Sequence, residues 1–251
     1  MLRRMPATLF VVHGSHPCAT VQRALELKGI EHRVAELPPA GHAPVAKLLF
    51  GKRTVPGLRL EGGERLTGSR AILRRLDELV AEPALLPADA ARRERVLDAE
   101  GWGDDVLQPV ARRVLWCALD RVPTAIPSFQ ESSKLPLPAT IRPLLTPAIV
   151  AIERRMNRST DAGVRADLLD LPRHLDRIDA WLQDGTLGGR AENAADLQIA
   201  ATLRLLMTME DLDAAIRPRP AGTLALRVFP RWDGRVRAGA FPEEWLRALQ
   251  G

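Results

Sequence analysis

The spacing of apolar positions changes near residue 82. Before it, short β-prone runs alternate with stretches of helical period. Residues 6–12, with Ala7-Thr8-Leu9-Phe10-Val11-Val12 at their centre, read as a strand. Val21, Ala24 and Leu25 then recur at helical spacing up to about Leu27, where Lys28-Gly29 is a stop signal. Glu31 to Leu37 alternates well enough for a second strand. Strand, helix, strand predicts a parallel unit with a right-handed crossover. Pro38, Pro39 and Gly41 form a loop, and Pro44 to Phe50 suits a short helix. Pro56, between Val55 and Gly57-Leu58, marks a bend before a strand, at an X–Pro bond that can be cis. Leu58-Arg59-Leu60 and Arg65-Leu66-Thr67, around Glu61-Gly62-Gly63-Glu64, predict a hairpin. Gly68-Ser69-Arg70 opens a helix whose apolar face is read as Ala71, Ile72, Leu76 and Leu79.

After the proline-bracketed Glu82-Pro83-Ala84-Leu85-Leu86-Pro87, strand signals fade and helical ones dominate. Asp89 to Asp120 reads as one long helix or two, with Val96, Ala99, Val106, Val110, Val114 and Cys117 along one side. Gly101-Trp102-Gly103 is a point of interruption, and residues 121–138 are proline-rich and irregular. Further helices are expected at about 140–157, 164–184 and 194–210. The last opens on Asn193 as N-cap, with Asp196 three residues on. Beyond Pro218 and Pro220 the chain is expected to be shorter and looser, ending in a helix around Pro242 to Leu249. The organisation is therefore an N-terminal α/β domain over 1–81, a linker over 82–88 and an all-helical domain over 89–251.

Candidate chemistry gathers where the first strand gives way to the first helix, in Gly14-Ser15-His16-Pro17-Cys18. Pro17 suits a first helical turn, where its missing N–H costs nothing. The unpaired N–H groups and positive dipole end of that turn favour an anion. A hydroxyl and a thiol there make a thiol-handling site, or else a plain cap and a small core residue. Cys117, the other of two cysteines, falls on an apolar stripe and reads as core filling. Two isolated cysteines are no disulfide framework, and the five histidines show no ligand spacing, so no metal site is expected.

The net charge of +5 and pI of about 10.0 raise the question of an acidic partner. The arginines, however, are interspersed with Asp and Glu, as in Ala91-Arg92-Arg93-Glu94-Arg95, so they read as solvated helix faces. With 4% aromatic residues and no Tyr there is little to stack on bases, and nucleic-acid binding is not expected. No apolar run approaches the roughly 20 residues that span a bilayer, and Met1-Leu2-Arg3-Arg4-Met5-Pro6 lacks the apolar core of a signal peptide. The expectation is a cytoplasmic protein with no membrane partner.

The order of these pieces resembles the cytosolic glutathione S-transferase superfamily, in its serine- or cysteine-type bacterial members. The resemblance is carried by Ser15-His16-Pro17-Cys18 with Val21 and Leu25, and by Leu27-Lys28-Gly29-Ile30. It continues in Thr54-Val55-Pro56-Gly57-Leu58, Leu66-Thr67-Gly68-Ser69-Arg70-Ala71-Ile72, Pro83 to Pro87 and the capped start at Asn193 to Asp196. It spans nearly all of residues 6–80, and the second half matches in architecture.

The resemblance implies a thioredoxin-like domain followed by an all-α domain, in a homodimer. It also implies conjugation of glutathione, or a similar small thiol, to an electrophilic small molecule, with glutathione as co-substrate and no other cofactor. Detoxification is the implied role. Ser15 matches the activating position and Cys18 the second position of a dithiol motif. Val55 would pair its backbone with the thiol ligand as an added strand does. Pro56 would be the cis proline, and Ser69 would grip the γ-glutamyl carboxylate. Trp102, Asp105 and Gln108 are candidates for the second-substrate cleft, Trp102 reading also as core. Cys18 is open to three readings: a buried structural thiol, a reactive thiolate in a thiol-disulfide oxidoreductase, or a ligand contact. A binding protein that keeps the fold without catalysis is the third functional reading. Gly68, where the family often has Glu or Asp, weakens the site for the ligand's ammonium end. His16 replaces a usual small residue or proline, and the lack of Tyr excludes tyrosine-activated classes.

Overall fold

The computed structural model describes residues 6–38 and 41–249. Met1 to Met5 and Pro39 of the expected loop lie outside the described residues. Four strands form one mixed sheet in the order β2-β1-β3-β4: β1 (Ala7–Val11), β2 (His32–Glu36), β3 (Gly57–Arg59) and β4 (Arg65–Thr67). β1 pairs parallel with β2 and antiparallel with β3, and β3 pairs antiparallel with β4. Leu9 of β1 faces Val34 on one side and Leu58 on the other, which explains its continuous apolar sequence. Three helices complete the domain: α1 (His16–Leu27), α2 (His42–Phe50) and α3 (Ser69–Leu79).

The face that α3 buries is Ile72, Leu73 and Leu76 rather than the stripe expected from spacing. Ala71 is exposed, and Leu79 is 44% exposed. One residue of rotation puts Leu73 at the centre of the seam, so the end members of the predicted stripe turn outward.

A buried ammonium fastens the linker to this domain. Lys28 closes α1, and its Nζ donates to Asp77 Oδ1 of α3 at 2.6 Å and to the carbonyls of Val80 and Pro83 at 2.6 and 2.7 Å. Asp77 in turn accepts from the N–H groups of Leu85 and Leu86. The helical half is tied on through α1. Thr20 Oγ1 donates to the Leu197 carbonyl at 3.2 Å, and Arg23 makes a two-pronged pair with Glu192 at 3.0 Å.

That half contains α4 (Ala90–Trp102), α5 (Gln108–Arg121), α6 (Arg142–Met156), α7 (Asp161–Gln183), α8 (Ala194–Leu206), α9 (Glu210–Ile216), α10 (Pro220–Val228) and the short α11 (Glu243–Leu246). α8 is buried along its whole length at the centre, and its start carries the expected reciprocal cap between Asn193 and Asp196. The predicted 194–210 helix ends at Leu206, and α9 is a separate helix. The looser tail expected after Pro220 is instead the helix α10, packed on α8. Pro220 starts that helix rather than breaking one. Gly222 lets it approach closely, since a Cβ there would come within 2.3 Å of the Ile216 carbonyl.

The interruption foreseen at 101–103 is a wide π turn over Gly103–Leu107, where the Gln108 N–H donates to the Gly103 carbonyl. The extra residue rotates the helix beyond it. Val106, expected in the buried stripe, is 36% exposed, and Leu107 takes its place in the core. Residues 123–130, expected to be irregular, form a 3-10 segment.

Candidate functional site

The start of α1 follows a tight turn in which Gly14 has a φ of 76° and the Ser15 N–H donates to the Val12 carbonyl at 3.1 Å. A φ in that range suits glycine. Ser15 is the N-cap residue, yet its side chain makes no capping hydrogen bond to the helix. Its hydroxyl is therefore not consumed in the usual way. Cys18, one turn on, is 3% exposed. Burial pushes its thiol up to about 11, against the smaller opposing effects of the Ser15 side chain and the Val12 backbone. At neutral pH Cys18 is a protonated thiol, the opposite of what a nucleophilic thiolate requires.

His16 is buried, with its Nε2 unbonded among the described residues. Burial, helped by the nearby Arg112 charge, lowers its pKa to about 3 against a hydrogen-bonding effect of Gln108, so the imidazole is neutral.

A cleft of about 410 Å³ opens between the two halves of the chain. Ser15, His16 and Val55 line one wall, and Arg112, Leu115, Trp116 and Leu119 of α5 line the other. The Val55–Pro56 bond is cis. Neither the N–H nor the carbonyl of Val55 is hydrogen-bonded to another described residue. The Pro56 carbonyl accepts from the Gly68 N–H at 3.1 Å, which fixes the start of α3 against the bend. Ser15 and Val55 thus share a cavity, whereas Pro56 and Ser69 line neither of the two main cavities, and Ser69 is 5% exposed.

The three residues expected on the second-substrate wall lie elsewhere. Trp102 packs edge-on against Trp181 and His174, Asp105 points to Arg70 at 3.7 Å, and Gln108 is buried. The cleft wall is one to three turns further along, at Arg112, Leu115, Trp116 and Leu119. Nothing in the sequence separates Arg112 from its neighbour Arg113. The structure does: Arg113 makes two 2.7 Å hydrogen bonds to Asp167, while Arg112 has no hydrogen bond or ion pair among the described residues.

A second cavity, of about 720 Å³, lies on the other side of the same turn, between α1 and the segment 228–233. Ser15 and Cys18 line it. His13 borders both cavities and bridges two distant segments: its Nε2 lies 2.9 Å from Asp233 Oδ2, and its Nδ1 3.8 Å from Glu36 at the end of β2. The loop at 132–134 donates into both carboxylates, Ser132 N–H to Asp233 and Ser133 Oγ to Glu36, each at 2.9 Å. Burial opposes the charge on Asp233, but the bonds from Ser132 and His13 outweigh it and hold the carboxyl below its ordinary range.

Among the described residues no cluster of three or more His, Cys, Asp or Glu side chains fits a metal ion, and no helix is long and apolar enough to cross a membrane.

Residues 9–84 match the family model of the glutathione S-transferase N-terminal domain. No curated protein matches the chain. Among solved structures, FzlA from C. crescentus is similar over 98% of this chain and 92% of its own, at 19% identity and a TM-score of 0.60. A glutathione S-transferase from Rhodospirillum rubrum F11 covers 96% and 99% at 19% identity and a TM-score of 0.55. A glutathione S-transferase from Methylobacillus flagellatus KT, with glutathione bound, covers 88% and 93% at 18% identity and a TM-score of 0.57. At these identities the structural likeness speaks to fold. The family match supplies the sequence link over the domain that holds Ser15, Val55 and Ser69, and the structural likeness shows that the chain as a whole has the glutathione S-transferase fold.

Proposed function

We propose that the protein conjugates a low-molecular-weight thiol, glutathione by family, to an electrophilic small molecule held in the 410 Å³ cleft. The observation that carries this reading is Ser15: an N-cap residue whose side chain leaves its helix uncapped and which lines the cleft together with the unbonded backbone edge of Val55. A free thiol with a pKa of about 8.5–9 is mostly protonated at pH 7. Lowering that value by about two units needs roughly 2.7 kcal/mol of preference for the anion. One hydroxyl donor and a helix N-terminus are of that order. The peptide part of the ligand would lie along Val55 as an added strand. The thiol's proton would leave to solvent as the anion forms. The thiolate would then form the S–C bond as the electrophile's leaving group departs with its electron pair or, for an activated C=C, as the π pair moves to the neighbouring carbon and takes a proton from water. The working unit proposed is a homodimer, which light scattering on the eluted protein would test.

The Cys18 oxidoreductase reading loses weight because that thiol is buried and hard to ionise. A second reading, binding without conjugation, is favoured by one observation: Ser69, the expected carboxylate grip, is nearly closed to solvent. Glutathione titration followed by calorimetry and by thiolate absorbance near 240 nm separates these readings. Transfer requires binding with a rise in absorbance at pH 7 that Ser15→Ala abolishes. Binding with no absorbance rise supports the second reading, and no binding of glutathione or of another small thiol defeats the proposal.

A further inference from the structure

Arg112 is a charged feature of the cleft that the thiol chemistry does not use. It sits half-buried on α5, its side chain borders the cleft shared by Ser15 and Val55, and no acceptor among the described residues engages its five N–H donors. Its neighbours on the helix behave differently, Arg113 being satisfied by Asp167 and Arg121 by Asp161. Two carboxylates, Asp104 and Glu153, act on Arg112 only through longer-range attraction. Glu153 is itself engaged by Asn157, and burial raises its pKa. Burial disfavours the Arg112 charge, and Arg113 adds repulsion. A guanidinium withdrawn from water without a partner is costly. It becomes favourable when an anion arrives to complete it, and its planar fork matches a carboxylate through two parallel hydrogen bonds. Beside Arg112 the wall is apolar at Leu115, Trp116, Leu119, Ile126 and Phe129, while Glu153, held by Asn157, lines the same cleft.

We propose that Arg112 selects, as second substrate, an electrophile with an apolar or aromatic body and a free carboxylate, which the guanidinium grips while the apolar wall holds the body. This deepens the transferase reading and rests on it. His16 borders the same cleft with an unbonded ring nitrogen, a neutral imidazole beside the guanidinium.

The test uses matched pairs differing only in the acid. For binding, the unreactive 3-benzoylpropionate and its methyl ester are titrated into the full chain and into Arg112→Met and Arg112→Lys. The wild type is expected to bind the acid at least about tenfold more tightly than the ester, the range of charge-assisted hydrogen bonds to a buried partner. The ratio should fall to near one in Arg112→Met and return in part in Arg112→Lys. A wild-type ratio near one, no binding of the acid at millimolar concentration, or a ratio that survives Arg112→Met would each overturn the proposal. Should Arg112→Met not fold, the wild-type ratio and the Arg112→Lys value decide.

For chemistry, glutathione is added with 3-benzoylacrylate or its methyl ester. The thiolate adds across the C=C bond, and the resulting carbanion takes a proton from water. A held binding ratio with no turnover beyond the uncatalysed rate means that the transferase reading has failed and the carboxylate site stands. Turnover of both compounds at equal kcat/KM means the reverse.

Discussion

The two walls of the cleft recognise by different means. The N-terminal wall presents a hydroxyl at a helix start, a buried neutral imidazole and a bare stretch of backbone at Val55. The α5 wall presents side chains: one unpaired guanidinium in an otherwise apolar surface. Backbone-based recognition depends on the fold and changes little with sequence, so it suits the invariant half of a two-substrate reaction. Side chains on one cleft-facing side of a helix can be exchanged singly, so that wall suits the variable half.

Protonating His16 would set an imidazolium beside Arg112 and place two cations across the cleft. The His16 pKa, about 3 in the folded protein, lies below the ordinary value of 6.5, so the unfolded chain takes up the proton first. Stability from this group is intact above about pH 6.5 and is lost as pH falls towards 3, at up to about 1.4 kcal/mol per pH unit. Urea unfolding at pH 7, 5 and 4 should show that loss, and His16→Gln should flatten it; equal slopes would remove His16 from the account.

Lys28→Met attacks the link between the walls rather than either one. It strands Asp77, and about 3 kcal/mol or more should be lost in urea unfolding at pH 7. A loss under about 1 kcal/mol would mean that the linker is held by packing alone.

The contrast within the N-terminal wall is tested by Ser15→Ala and Cys18→Ala. Ser15→Ala should lower kcat/KM for thiol conjugation by about 10²-fold, the order seen when one anion-stabilising donor is removed. Cys18→Ala should change it less than about threefold, and the reverse ranking would restore the Cys18 reading.

The smallest effect is expected at Thr20→Val, which removes a hydroxyl shared between the His16 and Leu197 carbonyls. A loss of about 1 kcal/mol is predicted by chemical denaturation. A gain would show that the bond is not limiting for the docking of α1 on α8.

The N-terminal wall is legible in the sequence because its devices are local. The strand at Ala7–Val11, the stop at Lys28-Gly29, the Val55–Pro56 bend and the Ser69 start each announce themselves within a few residues. The α5 wall is not, because its composition depends on a helical register that a single π turn resets. Spacing alone puts Val106 inside, and the cleft candidates that came with the resemblance, Trp102, Asp105 and Gln108, all lie outside it. The identity of Arg112 as the unpaired member of two adjacent arginines depends on Asp167, 54 positions after Arg113. The helix at Pro220–Val228 is hidden for another reason: a proline that starts a helix and one that ends order look alike until the partner surface on α8 is known.

The wide turn at Gly103–Leu107 also governs how this cleft can be retuned. Each residue added to or taken from a helix turns everything beyond it by about 100°. Removing one residue there, restoring an ordinary α-helical turn, would bring a different row of α5 side chains to the cleft in one step while leaving Ser15 and Val55 in place. For the transfer proposed here, an insertion or deletion, rather than a series of point substitutions, is the short route to a different second substrate.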